Sequence, residues 1–142
     1  MVVFVDGDVP CNVEGRRSVK LWLAALAKHH NRSLGDLSIV SFSDEGLLTY
    51  NRQYLDHDTY TDIITFDHTE DTTLSGDLLI SFDRVCENAE NHGVVFQEEL
   101  RRVMAHGVLH LAGFKDKTPD DASAMRQAED HALQMFHVEH PA

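Results

Sequence analysis

Residues 105–116 have the sequence AHGVLHLAGFKD, and the rest of the chain is interpreted around this stretch. His106 and His110 are four residues apart, so on a helix both imidazoles lie on one face, roughly 6 Å from each other. Gly113 is placed to end that helix, because glycine adopts the left-handed conformation that reverses the chain at little steric cost. The reversal brings Asp116 back toward the imidazoles. Two neutral imidazoles and a carboxylate, with a fourth position for water, predict a site for one Zn²⁺ ion of the catalytic type.

The same spacing occurs in zinc peptidases, in which a glutamate directly after the first histidine acts as the general base. In this chain that position is Gly107. Glycine has no side chain to take a proton from a metal-bound water. A hydrolase of amides or other small substrates therefore stays an alternative only if a different acid reaches the site.

Several segments resemble the YbeY family of bacterial endoribonucleases. The strongest is HGVLHLAGF at 106–114, and three further segments match the family in order and spacing: NRQY at 51–54, TDIITF at 61–66 and GDLLI at 76–80. The resemblance extends from about Leu37 to the last helix. It implies a zinc-dependent endoribonuclease that cleaves single-stranded RNA and takes part in ribosomal RNA processing, including the 3′ end of 16S RNA. It also implies ribosomal proteins and a ribosome-associated GTPase as partners.

Two positions depart from the family pattern. The third ligand of the family is usually a histidine, and here it is Asp116, which gives a His-His-Asp variant. The family also usually has an arginine directly after the tyrosine that corresponds to Tyr54, and here that residue is Leu55. We therefore expect Arg52, one helical turn earlier, to stabilise phosphate charge in its place.

The predicted site residues follow from the motif spacing and from the resemblance, and they fall into three groups. The catalytic residues are predicted to be Arg52 and His106, and the metal ligands His106, His110 and Asp116. Three further residues are weaker predictions: Asp77, Arg102 and Lys115 would either support the metal ligands from behind, as Asp77 would by orienting a ligand histidine, or contact the substrate. The remaining histidines considered are interpreted as residues of helix ends or of the tail: His29, His30, His131, His137 and His140.

Length and composition indicate one globular domain over residues 1–142. The 142 residues are 42% apolar and 25% charged, which is ordinary for a protein with a packed core. No apolar run approaches the ~18 residues that a membrane span requires, and the apolar start of the chain is too short for a signal sequence, so we expect a cytoplasmic protein. Cys11 and Cys86 have neither a close nor a metal-type spacing and are expected to be reduced.

The charge balance bears on the choice of partner. The formal net charge is −12, which is unusual for a general nucleic-acid binder, because phosphate contacts require clustered Lys and Arg. A local basic patch beside the metal could still recruit phosphate. The acidic chain equally fits a non-enzymatic assembly factor that binds basic ribosomal proteins and uses the metal for stability.

Hydrophobic periodicity and turn residues predict an α+β fold, a small mixed sheet of about four strands packed with about five helices. The predicted strands are 2–5, 37–42, 61–66 and 76–81, and the predicted helices are 13–30, 43–55, 82–91, 95–111 and 119–137. The first strand is expected to be buried, and Asn12 is expected to cap the first helix. The last two strands are expected to pair antiparallel. The polar segment 56–59 is interpreted as a turn rather than a second metal site.

Overall fold

The computed structural model describes residues 1–57 and 59–139, so Asp58 of the polar turn and His140 of the tail lie outside the described residues. The elements are β1 (Val2–Asp6), α1 (Arg16–His29), β2 (Ser33–Phe42), α2 (Asp44–Tyr54), β3 (Ile63–Asp67), β4 (Thr73–Ser81), α3 (Phe82–His92), α4 (Phe96–Leu111) and α5 (Pro119–Glu139). None of the helices within these ranges is both long enough and apolar enough to cross a membrane.

The four strands form one mixed sheet in the order β1-β2-β4-β3. Strands β1, β2 and β4 are parallel, and β3 pairs antiparallel with β4, with Ile63 opposite Ile80 and Asp67 opposite Gly76. The prediction of an α+β fold with four strands and five helices is confirmed, as is the antiparallel pair. The sheet places β3 at an edge, so one side of β3 is available to form the wall of a cleft.

Several predicted boundaries were wrong. Helix α1 begins at Arg16 rather than Val13, and its N-cap is Gly15 with φ of 62° rather than Asn12, since the backbone N–H of Asn12 donates to Pro10 in a preceding turn. Strands β2 and β4 begin at Ser33 and Thr73, earlier than predicted. A register shift after Leu34 lets β2 continue through two turn-type residues, glycine and aspartate.

The first strand was also misjudged. Val3 and Val5 of β1 are 37% and 41% exposed, because β1 is an edge strand that is covered less completely than the two central strands. Its pairing with β2, from Val2 opposite Leu37 to Asp6 opposite Ser41, keeps Val2 in the core. Apolar composition predicted the strand, but its position in the sheet set the burial of its side chains.

Helix α4 crosses the sheet and carries the motif histidines. Its apolar stripe is buried, as predicted: Leu100, Val103, Met104, Val108 and Leu111. Gly107 lies directly against the sheet, and a Cβ atom there would be 2.7 Å from Leu78 and 3.0 Å from Ile63. The absence of a side chain at this position therefore lets α4 approach β3 and β4 closely.

The close approach at Gly107 gives a stability prediction. We expect Gly107→Glu to lower the free energy of unfolding by at least about 3 kcal/mol, because it adds bulk and an unpaired charge to a packed interface. Gly107→Ala is the control and is expected to cost only about 0–2 kcal/mol, since its overpacking is partly offset by higher helix propensity. Urea denaturation of both variants measures the difference. Equal stability of the two variants would contradict the packing described.

Candidate metal centre

A cleft of about 710 Å³ opens between the sheet edge, the end of α2 and helix α4. Its lining residues come from four parts of the chain. The α2 end and following loop contribute Asn51, Leu55, His57 and Thr59; the β3 region contributes Thr61, Asp62, Ile63, Ile64, Thr65 and Asp67; α4 contributes His106, His110 and Leu111; the turn after α4 contributes Asp116 and Lys117. The two predicted ligand histidines thus lie in the wall of a cleft of ligand-binding size.

The predicted ligand atoms converge on one point of this cleft. The Nε2 atoms of His106 and His110 are 2.9 Å apart, and an Asp116 carboxylate oxygen lies 3.3 Å from the first and 3.4 Å from the second. Ligand atoms about 2.0–2.2 Å from a tetrahedral zinc lie about 3.3–3.6 Å from one another. The two separations to Asp116 fall in this range, and the separation between the two imidazoles is shorter. The cluster of His106, His110 and Asp116 is therefore able to bind a metal ion.

The hydrogen bonds of the other ring nitrogens determine what the cluster offers. Nδ1 of His106 lies 2.6 Å from a carboxylate oxygen of Glu129, and Nδ1 of His110 lies 2.9 Å from the carbonyl oxygen of Phe114. Both oxygens are acceptors, so each Nδ1 carries the hydrogen, and in the neutral ring each Nε2 presents a lone pair. Two lone pairs and a carboxylate oxygen facing one another repel unless a cation lies between them.

The chain bend that brings Asp116 to the site forms as predicted. Helix α4 ends at Leu111, and Gly113 has φ of 103°, in the left-handed region. The backbone N–H groups of Gly113 and Phe114 donate to the carbonyls of His110 and Leu109, which closes the turn. The same turn directs the Phe114 carbonyl at His110, so one backbone feature positions the candidate ligand Asp116 and the hydrogen-bond partner of the candidate ligand His110.

Glu129 is the residue of the site that sequence reasoning missed. It lies on α5, is only 6% exposed, and accepts hydrogen bonds from His106 and from Arg102, whose Nη1 is 3.0 Å away. A carboxylate behind a ligand histidine fixes the ring orientation and makes the ring a better donor to a metal. A signal was present, since Glu129 interrupts the apolar stripe of α5 between Met125 and Leu133.

The surrounding charges favour a cation at this point. Burial by itself lowers the pKa of the His106 imidazole, but the hydrogen bond to Glu129 and the negative charges of Glu129, Asp62 and Asp116 outweigh it and raise the pKa above its ordinary value. For Asp62 burial is the dominant influence. It raises the pKa of the carboxyl, and the charge of His106 only partly offsets this. An environment that attracts a proton to His106 also attracts a metal dication.

Two of the weaker predicted residues lie elsewhere. Asp77 pairs with the exposed His68, at 3.1 Å, instead of orienting a ligand histidine. Lys115 is part of a separate shallow depression beside α5, and it is Lys117 that lines the cleft. The turn after α4 places these two lysines on different sides, which their spacing in the sequence did not indicate.

The two predicted arginines also lie away from the cleft wall. Both guanidinium ends of Arg102 are engaged by α5, with Glu129 at 3.0 Å and Asp130 at 2.8 Å, so Arg102 supports the residue behind His106. Arg52 is exposed on α2, and its neighbour Asn51 is the α2 residue that is buried and lines the cleft. The Asn51 amide donates to the Thr59 carbonyl at 2.7 Å and holds the loop that forms the cleft rim.

Fold and site together define an α+β domain with a helix-borne His-His-Asp centre in an open cleft. A family model for Endoribonuclease YbeY matches residues 9–137. The chain is 44% identical to the Endoribonuclease YbeY of Christiangramia forsetii, over 96% of this chain and 94% of that protein. It is 47% identical to that of Flavobacterium johnsoniae, over 83% and 85% of the two chains. This chain therefore belongs to the Endoribonuclease YbeY family.

A solved structure shares the fold. The solution structure of a protein from Thermotoga maritima superposes with a TM-score of 0.67 and covers 98% of this chain and 91% of that one, at 23% sequence identity. The likeness at this level of identity concerns the fold. It agrees with the mixed sheet and helix arrangement described above.

Proposed function

We propose that residues 1–142 form one metal-dependent hydrolase domain, a zinc-dependent endoribonuclease that cleaves single-stranded RNA during ribosomal RNA processing, including the 3′ end of 16S RNA. Membership of a family of endoribonucleases supports the activity. The observation that carries the metal dependence is the convergence of the His106, His110 and Asp116 donor atoms at 2.9–3.4 Å in an open cleft.

Zinc is the proposed ion because of the donor set. Two imidazole nitrogens and one carboxylate oxygen match the three protein ligands of catalytic zinc sites, which keep a fourth position open. When bound there, zinc would lower the pKa of a bound water toward ~7 and polarise a phosphoryl oxygen. Asp116 adds a negative charge that a third histidine would not, so the net charge of the loaded site is lower than in a three-histidine centre.

The depth of the site favours a single strand over a duplex. The ligand side chains of His106 and His110 are only 21% and 28% exposed, so a phosphate must enter the cleft to reach them. A flexible single strand can turn one phosphate inward, whereas the phosphates of an RNA duplex are held in a stiff helix. The threonines that line the cleft offer hydroxyl groups to ribose and base edges.

The charge of the cleft is consistent with limited, local attraction for phosphate. Of the described Lys and Arg residues, Lys117 lines the cleft, and Arg52 lies one residue from the lining Asn51. We retain Arg52 as a candidate to stabilise phosphate charge at the rim. With a net charge of −12, affinity for RNA then depends strongly on the bound dication. The net negative charge of the chain also favours basic ribosomal proteins as partners. A ribosome-associated GTPase is proposed as a further partner from the family resemblance.

Metal content and substrate choice test this proposal together. We expect protein purified under stringent conditions to contain one zinc per chain, to cleave single-stranded RNA, and to leave a duplex of the same sequence intact. Asp116→Ala is expected to lose most of the zinc, measured by mass spectrometry of the metal, whereas Asp77→Ala, which removes a carboxylate outside the cleft, keeps it. Cleavage that persists after removal of the metal would overturn the proposal.

A further inference from the structure

The metal site lacks an obvious proton acceptor on its own helix. In metal hydrolases of this motif spacing, a glutamate after the first histidine accepts the proton of the nucleophile. Here Gly107 occupies that position, and the space that a side chain would need is filled by Leu78 and Ile63. Helix α4 therefore cannot supply a general base from this position, because side chains of β3 and β4 occupy the space that it would need.

The same packing brings an acid of the sheet to the site. Ile63, which contacts Gly107, is the first residue of β3, and Asp62 precedes it directly. The backbone carbonyl of Asp62 accepts a hydrogen bond of 2.9 Å from the N–H of Ser81, so the segment is fixed to β4. Asp62 is partly buried and lines the cleft together with His106. Close packing of α4 on β3 thus places the Asp62 carboxylate in the same cleft as His106, near enough for the two charges to influence each other.

Asp62 is in the cleft without being a ligand. Among the described residues, the donor atoms that all lie within 4.8 Å of one another belong to His106, His110 and Asp116, and Asp62 is outside that group. A general base belongs outside the ligand cluster, because the attacking hydroxyl must have room between the base and the residues that would hold the metal. Asp62 therefore has the placement of a base rather than of a fourth ligand.

The other acids of the cleft are less suitable. Asp116 is a metal ligand in the proposed function. Asp67 lies at the opposite end of β3, five residues from Asp62 and so about 16 Å along the strand, and its carboxylate accepts from the backbone N–H of Thr69. Burial raises the pKa of Asp62, which makes its carboxylate a stronger proton acceptor than an exposed one.

We propose that Asp62 is the general base of the RNA cleavage reaction, an inference that rests on the proposed function. Its carboxylate accepts the proton of the attacking hydroxyl, of water or of the ribose 2′ position, as that oxygen bonds to phosphorus. The P–O bond to the leaving ribose oxygen then breaks. The Asp62 carboxylic acid returns the proton to that oxygen, so the carboxylate is regenerated and no other reactant is consumed.

The test compares Asp62→Asn with the wild type on one single-stranded RNA. The amide keeps the shape and the oxygen that accepts backbone hydrogen bonds but cannot take up the proton. We expect kcat to fall by roughly 100- to 10,000-fold. Zinc content, melting temperature and KM are expected to stay near wild-type values. Asp77→Asn is the matched control, because Asp77 lies outside the cleft and pairs with the exposed His68, and it is expected to keep its kcat.

A second variant separates a chemical role from a structural one. Asp62→Ala leaves space beside His106, and added formate is expected to restore part of its kcat while giving no gain to Asp62→Asn. A kcat of Asp62→Asn within threefold of the wild type, or a loss in Asp62→Ala that formate does not reverse, overturns the inference. Absence of cleavage by the wild-type protein would instead refute the proposed function, so the two failures are distinguishable.

Discussion

The His110→Ala variant is expected to lose zinc and the cleavage of single-stranded RNA together. His110 supplies one of three ligand atoms, and its Nε2 lies 2.9 Å from that of His106. With two ligands left, the site no longer has the three protein donors of a catalytic zinc centre. Loss of several kcal/mol of metal-derived transition-state stabilisation corresponds to a fall in rate of about 1,000-fold or more.

The measurement is the cleavage rate together with metal content, for the variant and for chelated wild-type protein. His68→Ala is the control, because His68 is 62% exposed, pairs with Asp77 and lies outside the cleft. It is expected to keep both zinc and activity. Unchanged cleavage by His110→Ala would indicate a contaminating nuclease and would remove the support for a metal-dependent reaction.

The Glu129→Ala variant is expected to lose about 2–4 kcal/mol of unfolding free energy, because Nδ1 of His106 loses its acceptor and Arg102 keeps only the exposed Asp130 as a partner. Glu129 is 6% exposed and accepts from both His106 and Arg102, and the Arg102 side chain is only 17% exposed. In this variant Arg102 keeps its charge but loses the more buried of its two carboxylate partners. Chemical denaturation with and without zinc measures the change.

The effect of Glu129 on the metal is separable from its effect on stability. Glu129→Gln keeps the shape but weakens the hydrogen bond that orients His106, and we expect zinc affinity to fall about 10- to 100-fold.

Asp130→Ala is the control on α5 for the stability change. Asp130 contacts Arg102 from an exposed position, and its loss is expected to cost less than about 1 kcal/mol of unfolding free energy. Equal losses in Glu129→Ala and Asp130→Ala would contradict the central position assigned to Glu129.

Much of the fold was predictable because local spacing determines it. Two strand-like segments between 61 and 81, joined by a polar loop too short for a helix, predicted an antiparallel pair, and the helical stripe of α4 is buried as expected. The predicted ends of strands and helices were wrong where tertiary contacts override the turn residues of the sequence. Strand β2 continues through Gly35 because its pairing with β4 absorbs the irregularity in a register shift.

The residues of the candidate site likewise separate into those that local spacing predicted and those whose position depends on tertiary contacts. Arg102 and Lys115 were predicted to support the ligands or to contact substrate because they are close to the histidines in the sequence. Arg102 does lie behind His106, through the Glu129 carboxylate that both contact. Yet Arg102 faces α5, and Lys115 lies in a different depression from the cleft. Sequence distance from a motif does not specify the side of a helix or turn on which a side chain lies.

The sequence by itself determined the metal cluster, because one helical turn separates His106 from His110 and a single glycine bend returns Asp116 to them; all three steps are local. Only the tertiary structure decided which acids surround that cluster. Glu129 comes from α5 and contacts His106, and Asp62 precedes β3 and lines the same cleft as His106, because α4 packs between these elements with Gly107 against the sheet. Contacts between distant segments depend on how whole elements pack, and no short-range pattern specifies that.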